Sequence, residues 1–270
     1  MATPLFYNAA ATPDVQRAIT FLNQNPLKNI VLLKMLQAYG ALIQCYYVEQ
    51  ASSAGVLLLL PTQAFAFDRH TYPSTEYVVL LSTTGPTATE LLLPLIPTAC
   101  NLVFKLIDQY DRAVIEQRFT LNRVTAYLSY TAPPTHEFAT ANDVHVSTSL
   151  DQACLAIYVA QGHAATDVQQ FFATQQAIAF TCYAEATPLA TCFAYQNFAD
   201  IWEIGGVYTV AQARRQGYAK RIVQTALHVL QAQHRTPRYQ VHEQNTPSVA
   251  LAEALGLYQF LTVEHFLYEV

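Results

Sequence analysis

Apolar residues recur along this chain with two periods, and the switches between them mark the elements. After Pro13-Asp14 the run VQRAITFL repeats its apolar positions at helical spacing. Pro26 then leads into a second such run, LKNIVLLKMLQAYG, which Gly40 is expected to close just beyond the last turn. Short strand-type runs follow at 42–48, 55–60, 65–68 and 77–82. A helix over 87–96, a strand over 102–107, a helix over 110–119 and a strand over 124–130 complete the first half. The second half has the same rhythm. A strand near 144–147 precedes helices over 150–159 and 166–174, then strands over 177–184, 189–195 and 201–209. A helix over 217–233, a strand over 238–243, a helix over 247–255 and a strand over 258–270 close the chain. A meander followed by helix, strand, helix and strand predicts a mixed sheet with helices on its faces. The fold class expected is therefore α/β, with one α+β unit repeated in diverged form.

Between the halves lies TAPPTHEFATAN, whose tandem Pro133-Pro134 stops both helix and sheet pairing. It reads as a linker that separates a domain over 1–131 from one over 142–270. A chain of 270 residues suits two such domains. With 52% hydrophobic and only 12% charged residues it can bury a sizeable core, which excludes disorder. The net charge of −5 argues against nucleic acid as a partner, because phosphate binding needs a surplus of lysine and arginine. The longest uncharged stretch, 50–67, is interrupted by Pro61 and several polar residues, so no membrane span is expected. The opening residues show no basic and then apolar signal, which points to a cytoplasmic location. Cysteines at 45, 100, 154, 182 and 192 lack C-x-x-C spacing, and the eight histidines lack H-x-x-x-H spacing. Reduced thiols and no metal site are the expectation.

The chain has only eight glycines, so their places are informative. Gly205-Gly206 interrupt the strand IWEIGGVYT, where a glycine marks a bulge or a close approach of backbone to a ligand. Next come Arg214-Arg215-Gln216-Gly217-Tyr218-Ala219, opening an amphipathic helix. Two arginines ahead of a helix N-terminus oppose its dipole by about 0.3–1 kcal/mol each. An anion seated in the turn removes the mismatch, since the exposed amides there suit a pyrophosphate. A solvated basic pair is the alternative.

Together with EIGGVYT before the turn and NTPSVALAEALGL downstream (Asn245, Ser248, Gly256, Leu257), this turn resembles the GNAT N-acetyltransferase superfamily. The resemblance covers roughly 144–270, and the opening FLNQNPLKNIVLLKMLQ is similar to the first half of two-domain members. It implies tandem GNAT-like domains, each a mostly antiparallel mixed sheet flanked by helices. It also implies an acyl-CoA-dependent N-acetyltransferase, with acetyl-CoA as acyl-donor co-substrate. The turn amides from Arg215 through Gln216, Gly217 and Tyr218 to Ala219 would cradle the pyrophosphate, with Arg214 and Arg215 as added charge. Backbone groups of Tyr208, Thr209 and Val210 would pair with the pantetheine arm, and an amide near Val207 would hold the thioester oxygen. Asn245, with Ser248 in the same motif, would meet the arm from the next strand. The corresponding loop of the first half, 82–89, has one glycine and no basic residue, so a single coenzyme site is expected.

Transfer to an amine needs a neutral nucleophile and hence a base. Glu203, on the strand before the turn and flanked by Trp202 and Ile204, is the expected base, with Asp200 a weaker substitute. A solvent-facing strand glutamate is the bland alternative. Members of the family often carry a tyrosine four residues before the glycine of the Asn-initiated helix, to protonate the departing thiolate. Ala252 stands at that position here, so Tyr258 is the expected acid, ahead of Tyr208 and His242. That departure keeps open a non-catalytic acyl-CoA sensor or scaffold. The acceptor implied is a small-molecule or peptide amine, entering near the helices over 150–159 and 166–174. There Tyr158, Phe171 and Phe172 line its pocket or fill the core. A monomer or homodimer is expected, with no nucleic-acid or membrane partner.

Overall fold

Residues 13–270 are described in a computed structural model, and they fall into two units, 13–127 with 261–270, and 128–260. The first unit begins with helices α1 (Pro13–Leu22) and α2 (Ile30–Tyr39) and the hairpin β1 (Gln44–Gln50) and β2 (Ser53–Pro61). It continues with α3 (Ala66–Thr71), β3 (Tyr77–Thr83), α4 (Pro86–Leu92), β4 (Leu102–Leu106), α5 (Gln109–Ile115) and β5 (Asn122–Thr131). The second unit contains β6 (His145–Ser147), α6 (Gln152–Ala160), α7 (Ala165–Ala173), β7 (Ala177–Ala184), β8 (Thr187–Phe198) and β9 (Ile201–Thr209). Then follow α8 (Tyr218–Ala232), β10 (Thr236–His242), α9 (Thr246–Ala254) and β11 (Tyr258–Tyr268).

Within the first unit the strand order is β1-β2-β3-β4-β11. All neighbours are antiparallel except β3 and β4, which run parallel from Tyr77↔Leu102 to Leu80↔Lys105. Its core is the inward face of these strands, Leu57, Leu59, Val79, Leu81, Phe104 and Phe266 among them. The run at 65–68 is not a strand. Phe65 is extended, and the chain then closes a short helix through Arg69 N–H to Phe65 O and Tyr72 N–H to Asp68 O. That turn aims the buried Asp68 carboxylate at Lys105 Nζ, 2.6 Å away, a partner too distant in sequence for periodicity to reveal. Gly40 likewise stays in the right-handed helical region and does not form the left-handed cap expected of it.

Within the second unit the order is β10-β9-β8-β7-β6. Alternation along β7 sends Ile178, Phe180 and Cys182 to one face and Ala177 and Ala179 to the other. The first face packs against α8, whose Ile222, Val223, Ala226, Leu227 and Leu230 form one apolar stripe with almost no exposure. Each large aliphatic side chain buried there contributes about 1.5–3 kcal/mol. The second face is covered by α6 and α7 through Cys154, Leu155, Tyr158, Val168 and Phe172. All five cysteines are free thiols. The register of the β7–β8 hairpin sets Cys182 against Ala190 and Phe180 against Cys192, so those two thiols do not face each other.

The division into units differs from the one expected at 131–142. It falls inside β5 and inside β11, and the last ten residues belong to the first unit, because Tyr268–Glu264 pair with Leu102–Leu106 of β4. The proline segment is not a spacer. Ala132 and Phe138 enter the second unit's core, His228 Nδ1 lies 2.6 Å from Phe138 O, and Gln231 Nε2 donates to His136 O.

In the first unit the β3–α4 junction holds an internal carboxylate. Asp111 on α5 is 1% exposed, and its Oδ1 accepts from the hydroxyls of Thr83 and Thr89. Its Oδ2 is buried without a partner. Burial pushes this carboxyl up to about 6, against an ordinary 3.8. A folded-state value above the unfolded one means that the ionised form is penalised in the fold. The penalty is fully present above pH 6 and disappears as pH falls toward 4. Asp111→Asn is therefore expected to stabilise this unit by about 1–3 kcal/mol at pH 8. Urea melts at pH 8 and pH 4 check this, and the gain should vanish at the lower pH.

Candidate active site

The site of interest begins where two parallel strands separate. β9 and β10 pair only over Ile201↔Thr236, Trp202↔Pro237 and Glu203↔Arg238, although β9 runs on to Thr209 and β10 to His242. Two features cause the parting. Beyond Gly205, β9 carries a bulge: its register against β8 leaves Gly206 and Val207 unpaired, and Gly206 is left-handed with φ +61°. A bulged strand bends and twists more strongly, which carries it away from a straight neighbour. At the fork itself sits the Glu203 side chain. Its Oε2 accepts from Arg238 Nη1 and from Asn197 Nδ2 (2.9 Å), and its Oε1 accepts the backbone amide of Gln240 (2.9 Å). Arg238 also donates to Ser129 Oγ at 3.0 Å.

Past the fork, the end of β9 leads through a short turn into α8. Two residues of the turn, Arg215 (φ +62°) and Gly217 (φ +81°), are left-handed and flank Gln216. Such a conformation gathers successive amides into a concave, electropositive cradle. Among the described residues, the amides of Gln216 through Lys220 donate to no carbonyl, as the first turn of a helix requires. The cradle is held from behind by Arg221, four residues after Gly217. Its Nη1 donates to Gln216 O (3.1 Å), its Nε lies 3.0 Å from Asp143 Oδ2, and its guanidinium lies over the Tyr218 ring at 4.3 Å. Pinning the Gln216 carbonyl on that side turns the Gly217 amide, trans across the same peptide, the other way. Arg214 Nε donates to Thr209 O (3.1 Å), which ties the turn to the end of β9.

The third wall is α9. Asn245 caps it, its Oδ1 accepting the Ser248 amide at 3.3 Å, so that its Nδ2 is the group left for a ligand. Ser248 is hydrogen-bonded through its side chain to the buried Tyr239. These three walls enclose a cleft of about 700 Å³. Thr209 Oγ1, in the wall formed by β9, is buried without a hydrogen-bond partner.

The structure brings together most of the residues that the sequence singled out. Tyr208, Thr209, Arg214, Arg215, Gly217, Tyr218, Ala219, Asn245 and Ser248 all line this cleft. Gln216 contributes its amide to the cradle while its side chain turns back to Gln212 O. Val210 does not fit the expectation. Its amide is taken by Leu189 O and its carbonyl by Ala213 N–H, both at 2.9 Å, so neither is available to pair with an arm. Glu203 is also corrected. It lies outside the cleft wall, is 5% exposed, and has its oxygens engaged by Arg238, Asn197 and Gln240. It holds the fork, with both carboxylate oxygens engaged there. Tyr258, the expected acid, begins β11 at 46% exposure and does not line the cleft. Ala252 faces the core at 0% exposure, so the cleft side of α9 is formed by Pro247, Ser248, Ala250 and Leu251. Reading the sequence missed Arg221 and Asp143. The only signal for Arg221 was its spacing from Gly217, which puts it one turn along α8.

Residues 149–257 match the acetyltransferase (GNAT) family. No curated protein sequence matches the chain. Among solved structures it is similar to a GNAT-family acetyltransferase from Colwellia psychrerythraea, at 11% identity over 86% of this chain and 87% of that one, with a TM-score of 0.59. It is also similar to a GCN5-related N-acetyltransferase from Sphaerobacter thermophilus, at 12% identity over 98% and 93%, TM-score 0.56. A tandem GNAT protein from the clavulanic acid biosynthesis pathway matches at 13% identity over 93% and 94%, TM-score 0.50. At such identities the likeness is one of fold, and it spans both halves of the chain. No helix among the described residues is long and apolar enough to cross a membrane.

Proposed function

Because residues 149–257 form a domain of the acetyltransferase (GNAT) family, we propose that the chain is an acyl-CoA-dependent N-acyltransferase. In this reading acetyl-CoA is the donor, an amine is the acceptor, and transfer is direct between the two. One observation carries it. Unpartnered amides of a left-handed turn, two arginines and a buried, unpartnered Thr209 Oγ1 converge on one cleft beside a fork in the sheet. A diphosphate fits the cradle because its oxygens would accept the orphan amides at the positive end of α8. Tyr208 and Thr209 of β9 and Asn245 of α9 would hold the arm that runs on toward the fork. When bound, the coenzyme supplies an activated acyl carbon. An amide near Val207, at the bulge of β9, would donate to the acyl oxygen. Arg221 and Asp143 hold the cradle in shape without adding net charge.

Replacing Arg214 and Arg215 together with alanine is expected to weaken coenzyme A binding at least tenfold, since a charged hydrogen bond contributes about 1.5–3 kcal/mol. Calorimetry with coenzyme A and with pantetheine, which lacks the diphosphate, checks the assignment. The loss should appear for coenzyme A alone, and equal affinity of the double variant and the parent chain for coenzyme A would overturn it.

Ala252 and the exposed Tyr258 favour one second reading, a domain that binds acyl-CoA without turning it over. Thiol release from acetyl-CoA over a panel of amines separates the two. The thiolate is a tolerable leaving group near neutrality, given an ordinary thiol value of about 8.5, so loss of a dedicated acid does not by itself stop transfer.

A further inference from the structure

The acyl-transfer reading leaves the proton of the acceptor ammonium without a destination once Glu203 is committed to the fork. On that reading, we infer that His163 is the catalytic base, and that the acceptor amine enters over the α6–α7 face of β9 at Gly205. The α6 helix ends at Ala160, and the chain turns through Gly162 (φ +92°) with His163 N–H bonded to Tyr158 O at 3.1 Å. This places the imidazole edge-on to Phe193 (centroids 5.3 Å, 72°) and Tyr158 (6.5 Å, 83°). Its Cε1 is 3.8 Å from the point where a β-carbon on Gly205 would stand, and Tyr195 Cε1 is 3.7 Å from the same point. The missing side chain at 205 therefore leaves room between two rings, one residue before the bulge in β9 and two beyond its last pair with β10.

The other titratable groups on this face do not compete. Tyr158 bonds Thr191 Oγ1 at 2.6 Å, and burial raises both its hydroxyl and that of Tyr195 above the usual tyrosine range. Beyond Tyr195 lies Glu203, held by Arg238. Among the described residues no hydrogen bond engages the His163 ring. Burial moves it below its ordinary 6.5, so at pH 7 it is neutral and carries a free lone pair. The surroundings also indicate the class of acceptor. Phe171 stacks on Tyr195 (4.7 Å, 21°), and Asn197 Oδ1, two residues along β8, is a buried acceptor without a partner. Aromatic faces and a lone carbonyl oxygen suit a primary ammonium carried on an apolar or aromatic body.

One N–H proton passes from the ammonium to the imidazole and on to water, which frees the lone pair. The nitrogen attacks the thioester carbonyl carbon, a C–N bond forms and the C–S bond breaks. A second N–H proton ends on the departing sulfur, giving amide and free thiol.

Wild type and His163→Gln should be compared with acetyl-CoA and a panel of 2-phenylethylamine, butylamine and a lysine-bearing peptide. We expect kcat to fall about 10²–10⁴-fold at pH 7 with acetyl-CoA affinity unchanged. The wild-type decline in kcat at low pH, with its midpoint below 6.5, should be absent from the variant. His163→Ala should regain part of its rate with added imidazole. A readout independent of turnover is the NMR titration of histidine labelled at Cε1. The resonance that vanishes in His163→Gln should titrate below 6.5 and shift when acetyl-CoA is added. A variant with the parent rate and pH profile overturns the assignment, as does a resonance indifferent to acetyl-CoA. Acetyl-CoA bound by the parent chain, yet passed to none of these amines, overturns it also. Failure of the parent chain to bind acetyl-CoA at all instead brings down the reading on which it rests.

Discussion

Arg238→Met is expected to destabilise the second unit by about 3–5 kcal/mol, the cost of leaving one member of a buried ion pair without its partner. Arg238 and Glu203 have side chains only 3% and 7% exposed. Without the guanidinium, the carboxylate keeps just the Asn197 amide and the Gln240 backbone N–H as donors, and Ser129 Oγ loses its bond as well. The loss should depend on pH. An unpaired buried carboxylate binds a proton more readily when folded than unfolded, so the destabilisation is largest at pH 8 and shrinks toward pH 5. Urea unfolding at the two pH values tests this. The double variant Glu203→Gln, Arg238→Met should recover most of the loss, because it removes the charge together with its partner. A single Arg238→Met that leaves stability near the parent value would show Glu203 to be loosely held, and would return it to candidacy as a base. Until that cycle is measured, lost activity in Glu203→Gln alone does not identify a base, since the same substitution loosens the fork.

Gly206→Val is expected to cost about 2–6 kcal/mol and to weaken acetyl-CoA binding at the same time. Two penalties add. The backbone is left-handed there, a region costing a β-branched residue about 1–3 kcal/mol. A β-carbon would also stand 2.8 Å from Phe193 Cε1 and 2.9 Å from Tyr158 Cδ1. Those rings are nearly inaccessible and packed on each other at 4.7 Å, so neither can yield, and overpacking adds about 1–3 kcal/mol. Thermal melting with and without acetyl-CoA is the measurement. Gly205→Ala is the control, because its added carbon meets Tyr195 and His163 at ordinary contact distance. A Gly206→Val chain as stable as the parent would mean that the bulge is not built as described.

Much of the second unit was legible from local pattern. Strands at 177–184 and 201–209 coincide with their expected bounds, and α8 with its buried stripe differs by one residue at each end. The turn was equally legible, since amides left over at a helix start and the need for a left-handed glycine are properties of adjacent residues. The short run at 65–68 misled because four apolar-rich residues satisfy either period, and the pairing of its Asp68 with Lys105 joins segments that no local period connects. Pro133-Pro134 misled in the other direction. Proline forbids regular pairing but does not forbid packing, and Phe138 beside it found a place in a core.

Sequence alone therefore determined the repeated α/β order, the glycine-interrupted strand and the turn of unpartnered amides ahead of α8, because each rests on interactions among near neighbours. Tertiary structure decided the chemistry around them. It set Glu203 against Arg238, thirty-five positions away, and left the His163 ring without a hydrogen bond beside Gly205. It also drew residues 261–270 into the first unit. A side chain's role depends on which charges, rings and empty space surround it once the chain has closed, and those surroundings come from segments whose meeting no local period encodes.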